Sequence, residues 1–276
     1  MTIPDASAPS PAELLVIARD IAVSAGSFAL EARRAGVEIA ATKSTPTDIV
    51  TAVDRDTEAL IRRLILEARP DDGILGEEEA THIGTSGLDW IVDPIDGTVN
   101  FLYGIPAWAV SIAVVAGPPT PGSWTALAGV VVNPVTGELF EASAGGGARL
   151  GGRALEVVEH VSLDQALVGT GFSYAAERRR AQAEVLTSLL PRVRDIRRIG
   201  AASLDLCSVA AGRLDAFYEI GLNAWDHAAG ALIAREAGAV ITGPGGGHES
   251  HEFLLAAVPS VHEDVAAALR DAGVPA

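Results

Sequence analysis

The hexapeptide Asp93-Pro94-Ile95-Asp96-Gly97-Thr98 places two carboxylates and a hydroxyl within six residues. The apolar run Trp90-Ile91-Val92 before it predicts a strand that delivers Asp93 at its end. Pro94 interrupts simple continuation of that strand, and Gly97 permits a tight turn. With residues 98–101 opening a helix, the Gly97 and Thr98 amides point outward beside the two carboxylates, and such an end binds phosphate oxygens. Asp93 and Asp96 then suit Mg²⁺, a hard cation that takes oxygen ligands. An ordinary turn has the same composition, so the segment alone leaves both readings open.

Two further acidic positions bear on the choice. Glu77, in Gly76-Glu77-Glu78-Glu79, follows the apolar pair Ile74-Leu75, which places it at a strand end as Asp93 is; a solvated acidic loop has the same composition. Asp226, in Trp225-Asp226-His227, opens a predicted helix after the Gly221-Leu222-Asn223 turn, where a helix cap or dipole partner is the simpler role. The joint placement of Glu77, Asp93, Asp96 and Asp226 at element ends, where ligands cluster, favours a shared metal centre.

Residues 11–35 and 47–68 carry apolar side chains at helical spacing, with Thr47 or Asp48 as a cap for the second helix, near whose start Lys43 and Asp54 fall. From Gly73 to about residue 158 the pattern becomes short apolar bursts between turn residues, at 74–75, 90–92, 108–115, 126–132 and 138–142, a largely antiparallel meander. The glycine-rich stretch 145–152 is expected to be a hairpin turn, since no Walker spacing follows. From about 159 onward strands and helices alternate: strands at 167–171, 195–199, 214–220, 240–241 and 253–258, helices at 176–190, 202–211, 225–237 and 260–272. The expected fold class is mixed α/β, with an N-terminal half (1–158) and a C-terminal half (159–276) tightly packed on each other.

The chain has 276 residues, 49% of them apolar, enough to bury a substantial core. Its 36 acidic residues against 20 Lys and Arg give a net charge of −16, which opposes attachment to nucleic acid or to an anionic membrane. An anionic substrate therefore requires a local cation. Cys207 is the single cysteine, which rules out an intrachain disulfide and a cysteine metal cluster and points to the reducing cytoplasm. The segment 1–11 has no basic residue and reads as a frayed leader rather than a secretory signal. The longest apolar run, 107–117, is shorter than the ~20 residues of a membrane span.

Several ordered blocks resemble the inositol monophosphatase family of Mg²⁺-dependent, lithium-sensitive phosphatases. They are Lys43 with Ser44-x-Pro46-x-Asp48, Thr51-x-x-Asp54, Gly76-Glu77-Glu78, Asp93-Pro94-Ile95-Asp96-Gly97-Thr98-x-Asn100-Phe101, Gly200-Ala201-Ala202, and Tyr218-Glu219-x-Gly221 followed by Trp225-Asp226. The resemblance implies a layered αβαβα sandwich, a homodimer, and a site between the two halves. It assigns one metal to Glu77, Asp93 and the Ile95 carbonyl and a second to Asp93, Asp96 and Asp226; a third, weaker site shares Glu77. Asp54 and Thr98 would orient or deprotonate the attacking water, with Glu77 part of the catalytic set, and the Gly97 and Thr98 amides would hold the phosphate. The alcohol would lie toward Asp96, Gly200, Ala201, Ala202, Glu219 and Asp226. Two cations roughly 3.5–4 Å apart would neutralise phosphate oxygens and stabilise the leaving alkoxide. Ala201 stands where many relatives carry a hydroxyl residue, which removes one contact to a sugar hydroxyl, and Val99 replaces a common Thr.

Inositol 1-phosphate or a related polyol phosphate is the expected substrate, with histidinol phosphate, fructose 1,6-bisphosphate and 3′-phosphoadenosine 5′-phosphate as alternatives. A phospho-aspartate mechanism requires Asp-x-Asp, whereas here the spacing is Asp-x-x-Asp. His248-Glu249-Ser250-His251 places its histidines three apart after a glycine run and reads as a solvated loop rather than a zinc helix. His227 reads as a packed neighbour of Asp226. The arginines at 178–180, 192, 194, 197 and 198 read as a solvated face, a subset of them available to line an anion route or a dimer interface. A different class of role, a binding protein for transcription or RNA-processing machinery, is carried by some bacterial members of the family.

Overall fold

A computed structural model describes residues 9–36, 39–42 and 49–276. Lys43, Ser44, Pro46, Thr47 and Asp48 lie outside the described residues. Helix α1 (Pro11–Ala35) starts at a capping box between Ser10 and Glu13. Strands β1 (Ile39–Thr42) and β2 (Ile49–Thr51) pair antiparallel and lead into α2 (Ala52–Ala68). The second helix thus begins five residues later than its periodicity suggests. The run Ile49-Val50-Thr51 is β-branched and extends as a strand. Thr51 and Asp54 form the capping box instead of Thr47 or Asp48.

A seven-stranded sheet follows in simple order: β3 (Gly73–Gly76), β4 (Leu88–Asp96), β5 (Ala109–Ala116), β6 (Thr125–Asn133), β7 (Glu138–Ser143), β8 (Gly147–Leu150) and β9 (Arg153–Ala154). Only β3 and β4 run parallel; the remaining neighbours are antiparallel. The stretch 145–152 contains a short strand between two turns, rather than one turn. Helix α3 (Thr98–Tyr103) lies between β4 and β5. The second half forms a five-stranded sheet ordered β11-β10-β12-β14-β13, from β10 (Leu167–Thr170), β11 (Asp195–Arg197), β12 (Ala216–Glu219), β13 (Val240–Thr242) and β14 (Leu254–Ala257). Its helices are α4 (Ala176–Leu189), α5 (Ala202–Ala210), α6 (Ala224–Glu236) and α7 (His262–Asp271).

Strand alternation sorts these elements into layers. On β5, Val110, Ile112 and Val114 pack with Leu14, Ala18, Ile61 and Ile65 of α1 and α2. The intervening Ala109, Ala113 and Val115 pack with Leu206, Ala228 and Ile233 of α5 and α6. The same two helices cover Phe217, Leu254 and Ala256 of the second sheet, whose far face buries Val168, Tyr218 and Leu255 against Val185 of α4 and Val265 and Leu269 of α7. The result is a five-layer αβαβα sandwich with α5 and α6 as the shared middle layer. Because both sheets are covered on both sides, the strands read as apolar runs rather than as alternating faces.

Helix α6 lies very close to the first sheet. A Cβ on Gly129 of β6 would sit 3.0 Å from the Ala229 carbonyl oxygen and 3.1 Å from its Cα. Gly129→Ala should therefore cost about 1–3 kcal/mol, because the helix backbone cannot yield as a side chain can. Chemical denaturation measures this, and a wild-type midpoint would show that the middle layer has slack.

Candidate active site

Strand pairing brings the first two acidic positions together. In the parallel pair β3 and β4, Gly76 lies opposite Val92, so Glu77 and Asp93 follow at the same level on adjacent strands. Asp93 does not end its strand, as its sequence context suggested. β4 continues to Asp96, with a register shift: Asp93 pairs with Ser111 and Asp96 with Ala109, three residues on β4 against two on β5. In a regular strand, residues three apart point to opposite faces. The extra residue of this bulge, at Pro94-Ile95, turns Asp96 back onto the side of Asp93 and accommodates a proline in an inner strand. Asp93 Oδ1 accepts the Ile95 N–H at 3.0 Å, which stiffens the bulge.

Gly97 follows in the left-handed region (φ 92°, ψ 42°) and starts α3. A Cβ there would come within 3.0 Å of the Ala107 carbonyl and 3.1 Å of the Gly200 carbonyl, so only glycine fits this junction between the halves. Thr98 Oγ1 lies 3.2 Å from Asp54 Oδ1 and 3.2 Å from the Ile95 carbonyl. Its single proton serves one acceptor at a time. Asp54 is fully buried, and its other oxygen accepts the Thr51 N–H at 2.9 Å and the Thr51 hydroxyl. Burial raises its carboxyl above the ordinary value despite these donors.

The C-terminal half closes the site. Asp96 accepts the Ser203 N–H at 2.7 Å, the Ala202 N–H at 3.3 Å and the Ser203 hydroxyl, at the first turn of α5. Asp226 Oδ2 accepts the Asn223 N–H at 2.6 Å, so the residue serves the start of α6 while also facing the cluster. Asp93, Asp96 and Asp226 each offer an oxygen within 4.8 Å of the others. Glu77 stands outside that tight group but lines the same cavity, of about 540 Å³, as do Ile95, Gly97, Thr98, Gly200, Ala201, Ala202 and Glu219. Burial, then the charges of Glu77 and Asp96, push Asp226 well above the ordinary carboxylate range; burial likewise raises Asp96.

Some residues escaped the sequence reading. Asp205 lines the cavity fully buried, one carboxylate oxygen having no hydrogen-bond partner among the described residues. Ser203 holds Asp96 through its N–H and its hydroxyl. Nothing in the spacing of Ser203 or Asp205 marks them, because their role arises only when α5 meets the β4 bulge. Arg178 and Arg198, though exposed, line the cavity, and are the subset of the arginines available to an anion route. Which members of that run face the cavity follows only from the fold. Glu249 is buried and ion-paired with Arg235, so the 248–251 loop is only partly solvated. His227 is buried beside the Trp124 ring, and burial pushes it down to about 4, which makes it a neutral packing group.

Burial raises Glu219 from its ordinary 4.5 to about 8, with Arg198 opposing and Asp96 reinforcing the shift. A carboxyl raised by folding stabilises the fold fully below its unfolded value and loses that contribution as pH climbs to the folded one. The metal-free protein should therefore lose thermal stability between pH 4.5 and about 8, and Glu219→Gln should make that decline shallower. Thermal melts in chelator across this range measure it, and identical slopes for the two proteins would contradict it.

The model of the inositol monophosphatase family matches residues 10–273. An inositol-1-monophosphatase of Mycobacterium leprae is 44% identical over 98% of this chain and 97% of its own length. A protein of Salmonella typhimurium named Nus factor SuhB is 39% identical over 87% of this chain and 93% of its own. The solved structure of Mycobacterium tuberculosis SuhB superposes with a TM-score of 0.82, at 42% identity, over 98% of this chain and all of that one. With its layered fold and carboxylate cluster, the chain belongs to the inositol monophosphatase family.

Proposed function

We propose that the protein hydrolyses a phosphate monoester of a polyol, inositol 1-phosphate first among them, with Mg²⁺ held by Glu77, Asp93, the Ile95 carbonyl, Asp96 and Asp226. The observation that carries this reading is the approach of Asp93, Asp96 and Asp226 to within 4.8 Å of one another at the floor of a cleft. Like charges so close and so buried repel, and an all-oxygen donor set fits a hard divalent cation that offsets them. The relative named inositol-1-monophosphatase supports the same reading.

Bound Mg²⁺ would supply charge to the phosphate oxygens and to the leaving oxygen. The chain's own groups would do the rest. Thr98 Oγ1, donating to Asp54 Oδ1, can accept a hydrogen bond from a water and aim it at phosphorus. Asp54, its affinity for a proton raised by burial, can take the proton that the attacking water gives up through Thr98. The Gly97 and Thr98 amides at the turn would orient the phosphate. Water adds to phosphorus as its proton passes to Asp54, and the bond from phosphorus to the alcohol oxygen breaks. The departing alkoxide takes a proton from solvent while Asp54 returns its own to solvent, and the products are the alcohol and inorganic phosphate. Glu219 would accept hydroxyls of the alcohol, while Arg198 limits repulsion among Glu219, Asp96 and Asp205.

The Salmonella relative's name favours a second reading, a binding role in transcription alongside catalysis. Binding of purified transcription-elongation proteins retained by Asp93→Asn and Asp226→Asn variants would separate that role from hydrolysis.

Phosphate release should be measured on inositol 1-phosphate, histidinol phosphate, fructose 1,6-bisphosphate and 3′-phosphoadenosine 5′-phosphate, with Mg²⁺ or chelator, then with lithium. Turnover should require Mg²⁺, be fastest on inositol 1-phosphate, and fall by at least about 10³-fold in Asp93→Asn with the melting temperature largely kept. Near-normal turnover by Asp93→Asn would remove the metal assignment, and no metal-dependent release from any of the four would remove the enzymatic one.

A further inference from the structure

Helix α2 delivers Asp54 to Thr98, and one turn later the same helix face carries Glu58. Glu58 is completely buried, yet it is neither one of the residues that line the cavity nor a member of the Asp93, Asp96 and Asp226 cluster. Its carboxylate instead faces the turn after β3. Oε2 accepts the Glu78 N–H at 2.7 Å, and Oε1 accepts the Glu79 N–H at 3.1 Å and Arg62 Nε at 2.8 Å. Arg62 returns to the turn by donating to the Glu79 carbonyl at 3.2 Å. On the other side of Glu77, a Cβ on Gly76 would fall 2.2 Å from Glu58 Oε1. The residues before and after Glu77 are thus both set against one buried carboxylate.

We infer that Glu58 is a positioning residue, which holds the Glu77 carboxylate at the metal centre by binding the backbone of the Gly76–Glu79 turn. The inference rests on the proposed metal role of Glu77. A carboxylate accepts two amides and a guanidinium at once, and Glu58 does so fully buried. Removing it leaves buried N–H groups and Arg62 without their acceptor, and the turn must move to find others. Glu77 moves with it, because its backbone is part of that turn, between Gly76 and Glu78. Groups that orient a ligand in this way affect metal affinity by about 10–100-fold when lost. Through Asp54 and Glu58, α2 positions both the water-orienting hydroxyl and one ligand.

Calorimetric titration of the substrate-free protein with Mn²⁺ tests this, with thermal melts to identify folded variants. Glu58→Ala should weaken one Mn²⁺ site by about 10–100-fold, and Glu58→Gln, which keeps one acceptor oxygen, by less. Glu77→Ala should weaken the same site, and Glu58→Ala combined with Glu77→Ala should be no worse than Glu77→Ala alone. Arg19→Ala, which breaks the ion pair of Arg19 with the buried Glu141 elsewhere in the fold, should leave Mn²⁺ binding at the wild-type value. If Glu58→Ala does not fold, Glu58→Gln carries the same comparison against Glu77→Ala. Wild-type Mn²⁺ affinity in a folded Glu58 variant, or a loss that adds to that of Glu77→Ala, would overturn the positioning role. Wild-type affinity in Glu77→Ala itself would overturn the ligand assignment, and the positioning role with it.

Discussion

Three carboxylates, from Asp93, Asp96 and Asp226, are held within 4.8 Å of one another in a protein that already carries a net charge of −16. Left to themselves such groups separate or take up protons. Much of the surrounding architecture opposes that tendency. The bulge in β4 sets Asp93 and Asp96 on one side, the first turn of α5 gives Asp96 two amides and the Ser203 hydroxyl, and the start of α6 gives Asp226 the Asn223 amide. These donors fix the carboxylates, Asp96 through both of its oxygens and Asp226 through Oδ2, while all three side chains still line the cleft.

The cluster spans both halves of the chain, so its geometry depends on how the halves pack. Two glycines make that packing close: Gly129 admits the backbone of α6 against the first sheet, and Gly97 meets the Gly200 carbonyl at the foot of α5. The middle helices are therefore both core and scaffold. Ala228, Leu232 and Ile233 bury the apolar side of α6, while Asp226 at its first turn faces the cleft. Small shifts in the helix layer move a ligand, which ties the stability of the sandwich to the precision of the site.

Most strands and helices and the principal acidic residues were legible in the sequence because each leaves a local signature, whereas the five-layer order came from the family resemblance alone. Apolar bursts mark strands, and carboxylates next to glycine or proline mark where a strand ends or is interrupted. The Thr51 cap was hidden by the Pro46-Thr47-Asp48 cluster, which has the composition of a cap in its own right. The bulge at Pro94-Ile95 was not legible, since the sequence shows a break but not the two-residue partner on β5 that makes it a register shift. Ser203, Asp205 and Arg198 gain their roles only from long-range packing. Glu58 reads as one charged residue of an amphipathic helix, and only the turn it meets gives it a purpose.

Crystals grown with Mn²⁺, an oxygen-seeking stand-in for Mg²⁺, and measured at the manganese absorption edge would locate the cation. Anomalous peaks within bonding distance of Asp93, with Glu77 on one side and Asp96 and Asp226 on the other, are the predicted result. A cleft without such peaks at high Mn²⁺, or Mn²⁺ ligated only by other residues, would contradict the account.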